Sequence, residues 1–277
     1  LLERIPLTRE PQSWPLELSP MVGDEQPMVL LDTETTGLSA EDESIIELGM
    51  VKVLYSPSAQ RIVSIVDVIS LYEDPGKPIP ELITDLTGIT DDMVQGQHID
   101  DSLVASWLSD DPLVVAHNAQ FDRPFFEKRF AALGHLSWAC SASGIDWKAL
   151  GFESRKLEYL LLRLGWFYEG HRAATDCLAM AWLFYLLPES VANMLSEADR
   201  RTVLVRAFGA PFDVKDYLKE RGYRWHDGVK GANKHWWREI SEDELPQEQT
   251  YLDDLYHRGS EHAHYDYKDA RNRFKAL

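Results

Sequence analysis

The run Met28-Val29-Leu30-Leu31 leads straight into Asp32-Thr33-Glu34, and no other stretch restricts the fold so tightly. A short apolar run that stops at a polar break is the mark of a buried strand. Side chains two apart on a strand share a face, so Asp32 and Glu34 stand side by side at its end. Two carboxylates there repel each other and resist desolvation unless a cation joins them. Oxygen-only ligands suit a hard ion such as Mg2+ or Mn2+. Taken alone, the pair is explained equally well as two solvated acids in a strand-end turn.

Around this strand the pattern predicts an α/β fold. Residues 45–55 and 61–72 are strand-like runs joined by a turn at Ser56-Pro57-Ser58. Together with the first strand they predict an antiparallel meander. A capped helix start follows at Thr90-Asp91-Asp92, then a buried strand at Leu113-Val114-Val115-Ala116. Helices are expected over 121–133, 157–164 and 173–187, with Phe121, Phe125, Phe126 and Phe130 as a buried stripe and Pro188 as a stop. The order β-β-β-α-β-α-α predicts a mixed sheet with helices packed on it. The prolines at 6, 11, 15, 20 and 27 predict an extended arm over residues 1–27. The main domain is expected over 28–195. A small α+β module is expected over 196–277, built from a strand, a helix at 214–221, a hairpin at 222–240, a helix at 247–257 and a charged tail.

Composition excludes several classes. No apolar run reaches the roughly 18 residues a membrane helix needs, and no secretory leader pattern is visible, so no membrane is expected as a partner. Two cysteines among 277 residues make neither a disulfide framework nor a zinc site and fit a reducing, cytoplasmic setting. The net charge of −18 is unusual for a chain that handles phosphates. Residues 1–199 hold 13 Lys+Arg against 32 Asp+Glu, a balance of −19, while residues 200–277 hold 15 against 14, a balance of +1. Metal-ligating carboxylates account for part of that excess.

Three further segments carry chemistry. In His117-Asn118-Ala119-Gln120-Phe121-Asp122 a buried strand runs into a helix, and Asp122 falls in the first helical turn. Acids are common there as dipole partners, but Asp122 lies beside the apolar stripe rather than opposite it. In His171-Arg172-Ala173-Ala174-Thr175-Asp176 five helical steps would leave the two end side chains roughly 140° apart. His171 is therefore expected on the preceding loop and Asp176 inside the helix. A loop histidine beside a metal site suits a general base, although a lone histidine is more often a cap or a surface residue. Thr87-Gly88-Ile89-Thr90 is a turn with an N-cap.

The segments L-D-T-E-T-T-G-L, H-N-A-Q-F-D and H-R-A-A-T-D, in this order, resemble the three motifs of the DnaQ-like DEDDh exonucleases. In this chain 90 residues separate Asp32 from Asp122, and 49 separate Asp122 from His171. The resemblance covers about residues 28–187 and is similar to the proofreading subunits of bacterial replicative polymerases. Cys140-Ser141-Ala142-Ser143-Gly144-Ile145 follows the family pattern only loosely. The resemblance implies a ribonuclease H-like fold and 3′→5′ hydrolysis of phosphodiester bonds with two divalent ions, Mg2+ or Mn2+. It implies that Asp32, Glu34 and Asp176 hold the ion on the side of the attacking water. Asp32 and Asp122 would help to place the second ion, and His171 would accept a proton. It implies Thr35, Thr36 and Asn118 as grips on the terminal nucleotide. The expected partner is nucleic acid, single-stranded DNA at its 3′ end, with room for a replication or repair protein. An RNA 3′ exonuclease and a non-catalytic adapter on the same fold are the alternatives, since RNA and DNA are told apart at the sugar 2′ position and fold alone does not set function.

The last module is rich in tryptophan. Arg224, Lys230, Lys234 and Arg238 interleave with Trp225, Trp236 and Trp237 around a turn with Gly228 and Gly231. Such a pattern either builds a small aromatic core or stacks bases and holds phosphates. Residues 249–256 are faintly similar to a sliding-clamp peptide, but Leu252, Leu255 and Tyr256 fit a helix-packing stripe better.

Overall fold

The computed structural model describes residues 2–8, 13–228 and 233–276. The chain divides into two compact units, Leu1–Ala198 with Arg271–Leu277, and Asp199–Ala270.

The first unit opens with three long strands, β1 (Gln26–Thr35), β2 (Ile45–Ser56) and β3 (Arg61–Tyr72). They pair antiparallel with β2 in the middle. β4 (Leu113–Ala116) and β5 (Trp138–Cys140) add in parallel on the free side of β1, so the strand order is β3-β2-β1-β4-β5. Parallel neighbours need a crossover, and helices supply it. These are α1 (Glu81–Thr87), α2 (Asp91–Val94) and α3 (Asp101–Trp107) before β4, and α4 (Ala119–Arg129) before β5. After β5 come α5 (Leu157–Arg163), α6 (Ala173–Leu186) and α7 (Pro188–Asp199). This mixed sheet with flanking helices is the ribonuclease H-like fold.

Alternation along β1 feeds two cores. Met28 and Leu30 pack with Val51, Val53 and the apolar side of α6, while Val29 and Leu31 pack with Met50, Trp107, Phe125 and Phe126. A strand buried on both faces has no room for polar residues until its pairing with β4 ends at Leu30, and Asp32 and Glu34 stand beyond that point, still paired with β2.

Several expectations need correction. Ile5 and Leu7 are buried in the first core, and Leu16–Glu17 pairs with β3, so the proline-rich arm is part of the unit. Residues 196–199 continue helix α7 rather than open the second module, because Val191, Met194 and Ala198 face the core at helical spacing. β5 was not expected; three residues are too few to show a period. The charged tail is also divided. Its first part is a strand of the second unit. Arg271–Leu277 returns to the first unit, where Phe274 packs on the second core. There the fully buried Arg123 donates to the backbone carbonyls of Arg271 and Arg273 and, at 2.7 Å, to Glu127. The unit boundaries move charge as well. The first unit holds 16 Lys+Arg against 31 Asp+Glu, a balance of −15, and the second 12 against 15, a balance of −3.

The second unit contains β6 (Thr202–Ala207), α8 (Lys215–Glu220), β7 (Arg224–His226), β8 (His235–Ser241), α9 (Leu245–Leu255) and β9 (Ala263–Lys268). Its sheet is antiparallel, in the order β7-β8-β6-β9. Val203, Val205, Leu218, Trp236, Ile240 and Leu252 form its core. Leu252 and Tyr256 are both buried, so the clamp-like segment is interior packing. Lys230 and Gly231 lie outside the described residues. No single helix among the described residues is long and apolar enough to cross a membrane.

Candidate active site

The carboxylates meet at the end of β1. Asp32 and Glu34 share the face of β1 that packs on α6, and α6 brings Asp176 to them. Oxygens of these three acids lie within 4.8 Å of one another. A cleft of about 280 Å3 opens over them, and Asp122, His171 and Asn118 also line it.

The close seating of α6 depends on Gly49. In the sheet Gly49 pairs with Asp32. A Cβ at Gly49 would stand 2.3 Å from the Ala173 carbonyl carbon and the Ala174 nitrogen. Both are backbone atoms in the first turn of α6, so neither can swing aside. Cys177 adds a thiol contact to the Gly49 carbonyl at 3.5 Å. Gly49→Ala is expected to lower stability by about 1–3 kcal/mol, the usual cost of overpacking. It should also displace Asp176 and cut hydrolysis sharply. Thermal melts and steady-state kinetics on the same sample check both effects; wild-type values for both would show that α6 seats independently of this contact.

Each acid is held differently. Asp122, only 2% exposed, accepts through Oδ1 from the Thr33 hydroxyl at 2.8 Å and the Thr33 amide at 3.1 Å. Asp176 accepts from the Tyr168 phenol at 2.8 Å and from the Arg172 amide at 3.1 Å. Burial, then the neighbouring carboxylates, push Asp32 well above the usual carboxylate range. The same causes raise Glu34 to about 8. Burial takes Asp122 to about 7 against the lowering effect of Thr33, and raises Asp176 against the bonds from Tyr168 and Arg172. Four acids that resist ionising together are a donor set waiting for positive charge. Arg172 offsets this only in small part at Glu34, because Glu47 binds it at 3.0 and 3.1 Å. The all-oxygen set therefore fits hard divalent cations.

His171 sits in the loop before α6, at φ +65°. Its Nε2 is 3.7 Å from Glu158 Oε1. Asn118 stands at the N-terminus of α4 with no capping bond from its side chain. Phe121 is less buried than the rest of its stripe and lines the cleft, packed on Phe125 with ring centres 5.0 Å apart. Thr35 and Thr36 do not line the cleft. Thr35 donates to the Gly37 carbonyl at 2.7 Å, and Thr36 donates to Glu43 while accepting from the Ser44 amide. Their hydroxyls shape the turn after β1.

Sequence reasoning missed five residues here. Glu47, 1% exposed, opposes Glu34 in the sheet and ties down Arg172 and the Ala173 amide. An acid inside the apolar run Ile45–Met50 was the available signal. Tyr168, Lys156 and Glu158 line the cleft from α5 and its flanks without a local pattern. His117 bridges the Ser141 hydroxyl at 2.8 Å and the Arg155 carbonyl at 2.7 Å. Burial lowers its pKa to about 4, so it is neutral. A carbonyl only accepts, so Nε2 carries the proton and Nδ1 accepts from Ser141. His117 thus pins the strand-to-helix segment that presents Lys156.

A ribonuclease H-like sheet with an acid-lined cleft at the end of its central strand defines a nuclease-type hydrolase. A family model described as an exonuclease, RNase_T, matches residues 29–184, and the chain belongs to that family. Over 175 residues it is 35% identical to a PolC-type DNA polymerase III of Listeria welshimeri, which covers 60% of this chain and 11% of the relative. It is 34% identical over 180 residues to the PolC-type enzyme of Bacillus subtilis, covering 61% and 12%. The chain thus spans about a tenth of the length of these relatives. A solved structure of Exonuclease X with 5′ overhanging duplex DNA aligns with 61% of this chain and 98% of its own, at 21% identity and a TM-score of 0.44.

Proposed function

We propose that this chain is a 3′→5′ exonuclease that removes nucleotides from the 3′ end of DNA with two divalent ions, Mg2+ or Mn2+. The observation that carries the reading is the convergence of Asp32, Glu34 and Asp176 within 4.8 Å in a cleft that Asp122 and His171 also line. Asp32, Glu34, Asp122 and Asp176 would hold the ions, which when bound supply the charge that stabilises attacking and leaving oxygens of an in-line displacement. The chain's own groups do the rest. His171, half-exposed on its loop, takes the proton of the attacking water. Glu158, 3.7 Å away, offers negative charge to the resulting imidazolium. Asn118 offers an amide to the terminal nucleotide, Phe121 a ring to its base and Lys156 a cation to its phosphate. Thr33 and Tyr168 fix the orientation of Asp122 and Asp176 before substrate arrives.

The test uses matched DNA and RNA oligomers labelled at the 5′ end, incubated with Mg2+, Mn2+ or EDTA. The expected result is a ladder of 5′-labelled DNA products shortening one nucleotide at a time, only with metal. Release of the label as a mononucleotide in the first turnover would reverse the direction. Faster digestion of RNA would reassign the substrate.

A further inference from the structure

The second unit has an open groove of about 570 Å3 lined by Pro211, Phe212, Lys215, Lys219, Trp225 and Trp236. Its size falls within the roughly 300–1,000 Å3 of ordinary ligand clefts. Trp225 and Trp236 are directly opposed across the antiparallel pair β7–β8, so their rings share a face and meet at 5.2 Å. Trp236 belongs to the core, but Trp225, at the sheet edge, remains 51% exposed. Phe212, before α8, is 80% exposed. An indole and a phenyl ring left in water beside one groove contribute little to the core and mark a contact surface.

The charged side chains that line the groove have one sign. Lys215 and Lys219 are four residues apart on α8 and share a face. Lys215 Nζ stands 3.8 Å from the centre of the Phe212 ring. Among the described residues Lys219 is ion-paired with Asp216 alone, in an exposed pair at 3.7 Å, which is worth little. No carboxylate among the described residues lines the groove. Two of the hairpin cations expected to bind phosphates, Arg224 and Arg238, are otherwise engaged. Arg238 and Arg221 both donate to the buried Glu248, at 3.0 and 3.1 Å, and Arg224 lies over Trp237.

Exposed flat rings next to ammonium groups, in a groove that no described carboxylate lines, match a polymer that alternates flat bases with phosphates. We infer that this groove binds single-stranded nucleic acid, with a base stacked on Trp225 and phosphates held by Lys215 and Lys219. The inference rests on the nuclease reading for its choice of ligand, because an acidic peptide with aromatic residues would meet the same chemistry. The first unit carries −15 and offers a polyanion little attraction outside the metal site, so a cationic aromatic hold elsewhere serves such an enzyme.

The experiment measures binding rather than cleavage. A fluorescent oligothymidylate is titrated with the full chain in EDTA, which prevents digestion, at several salt concentrations. Trp225→Ala should weaken binding about tenfold, within the range for loss of one base–aromatic stack. Trp225→Phe should keep most of the affinity. Lys215→Ala with Lys219→Ala should flatten the slope of log affinity against log salt by about 1.4, at roughly 0.7 per single-strand phosphate contact. Melting curves confirm that the variants are folded. Unchanged affinity and slope in folded variants overturn the inference and leave the groove to a peptide or protein. Hydrolysis is measured separately. Oligomers that bind through the groove yet stay intact with Mg2+ would sink the nuclease reading and spare this one.

Discussion

Chelation should abolish hydrolysis, and the return of activity with Mg2+ or Mn2+ should release protons. The direction follows from the acids. Glu34 and Asp122 are raised to about 8 and about 7, and Asp32 and Asp176 are raised as well, all chiefly by burial. In the unfolded chain such carboxyls titrate near about 4. Between about pH 4 and about pH 8 the ion-free folded protein therefore holds protons that the unfolded chain has given up. Stability falls with pH wherever the folded state binds more protons, so the ion-free protein should lose stability across this window. A divalent cation replaces those protons. Its apparent affinity should climb across the range up to about pH 8 in which Asp122 and Glu34 lose their protons. Binding to the folded state alone at one hundred times Kd adds about 2.7 kcal/mol. The rise in melting temperature caused by Mn2+ should accordingly be larger at about pH 8 than at about pH 5.5. Calorimetry with and without EDTA, and proton release in weakly buffered solution, measure it. Full hydrolysis in chelated buffer, with melting indifferent to ions at each pH, would remove the metal from the proposal.

The parts of this site that were legible in the sequence are those where chemistry breaks a local pattern. Asp32 and Glu34 interrupt an apolar strand, and Asp122 lies against an apolar stripe. His171 and Asp176 have a spacing that forces one of them out of the helix, and α6 does begin at Ala173, after His171. What stayed hidden depends on partners far away in sequence. Glu47 meets Arg172 across 125 residues, and Arg123 meets the backbone of Arg271 and Arg273 across about 150. Gly49 looks like an ordinary weak point in a strand until α6 is laid on it. At Thr35 and Thr36 the motif suggests ligand contact, while local hydrogen bonds occupy both hydroxyls. The strand Ala263–Lys268 was hidden by composition. His264, Asp266 and Lys268 resemble a solvated tail, but strand pairing with β6 turns Ala263 and Tyr265 toward the core of the second unit.

His171→Ala should slow the chemical step by roughly 10²–10⁴-fold, the range for a positioned general base. That corresponds to about 3–5 kcal/mol of lost transition-state stabilisation, at 1.36 kcal/mol per tenfold. The loss should be large but incomplete, because the four acids and the ions they attract remain in place. His171 lies outside the trio whose oxygens converge within 4.8 Å, so the variant should keep its affinity for Mn2+. Its side chain is about half exposed, on a loop held at φ +65°, so removing it leaves no cavity in the core. The melting temperature should hardly change. Added imidazole should recover part of the rate, since the vacated place opens to solvent. Single-turnover rates at saturating Mn2+, with and without imidazole, read the base function directly, and the ion's effect on melting reads the ligand function. A variant that binds Mn2+ weakly yet turns over normally once saturated would make His171 a ligand and pass the proton to another group. Glu158, 3.7 Å from Nε2 and open to the same cleft, would then be the residue to replace next.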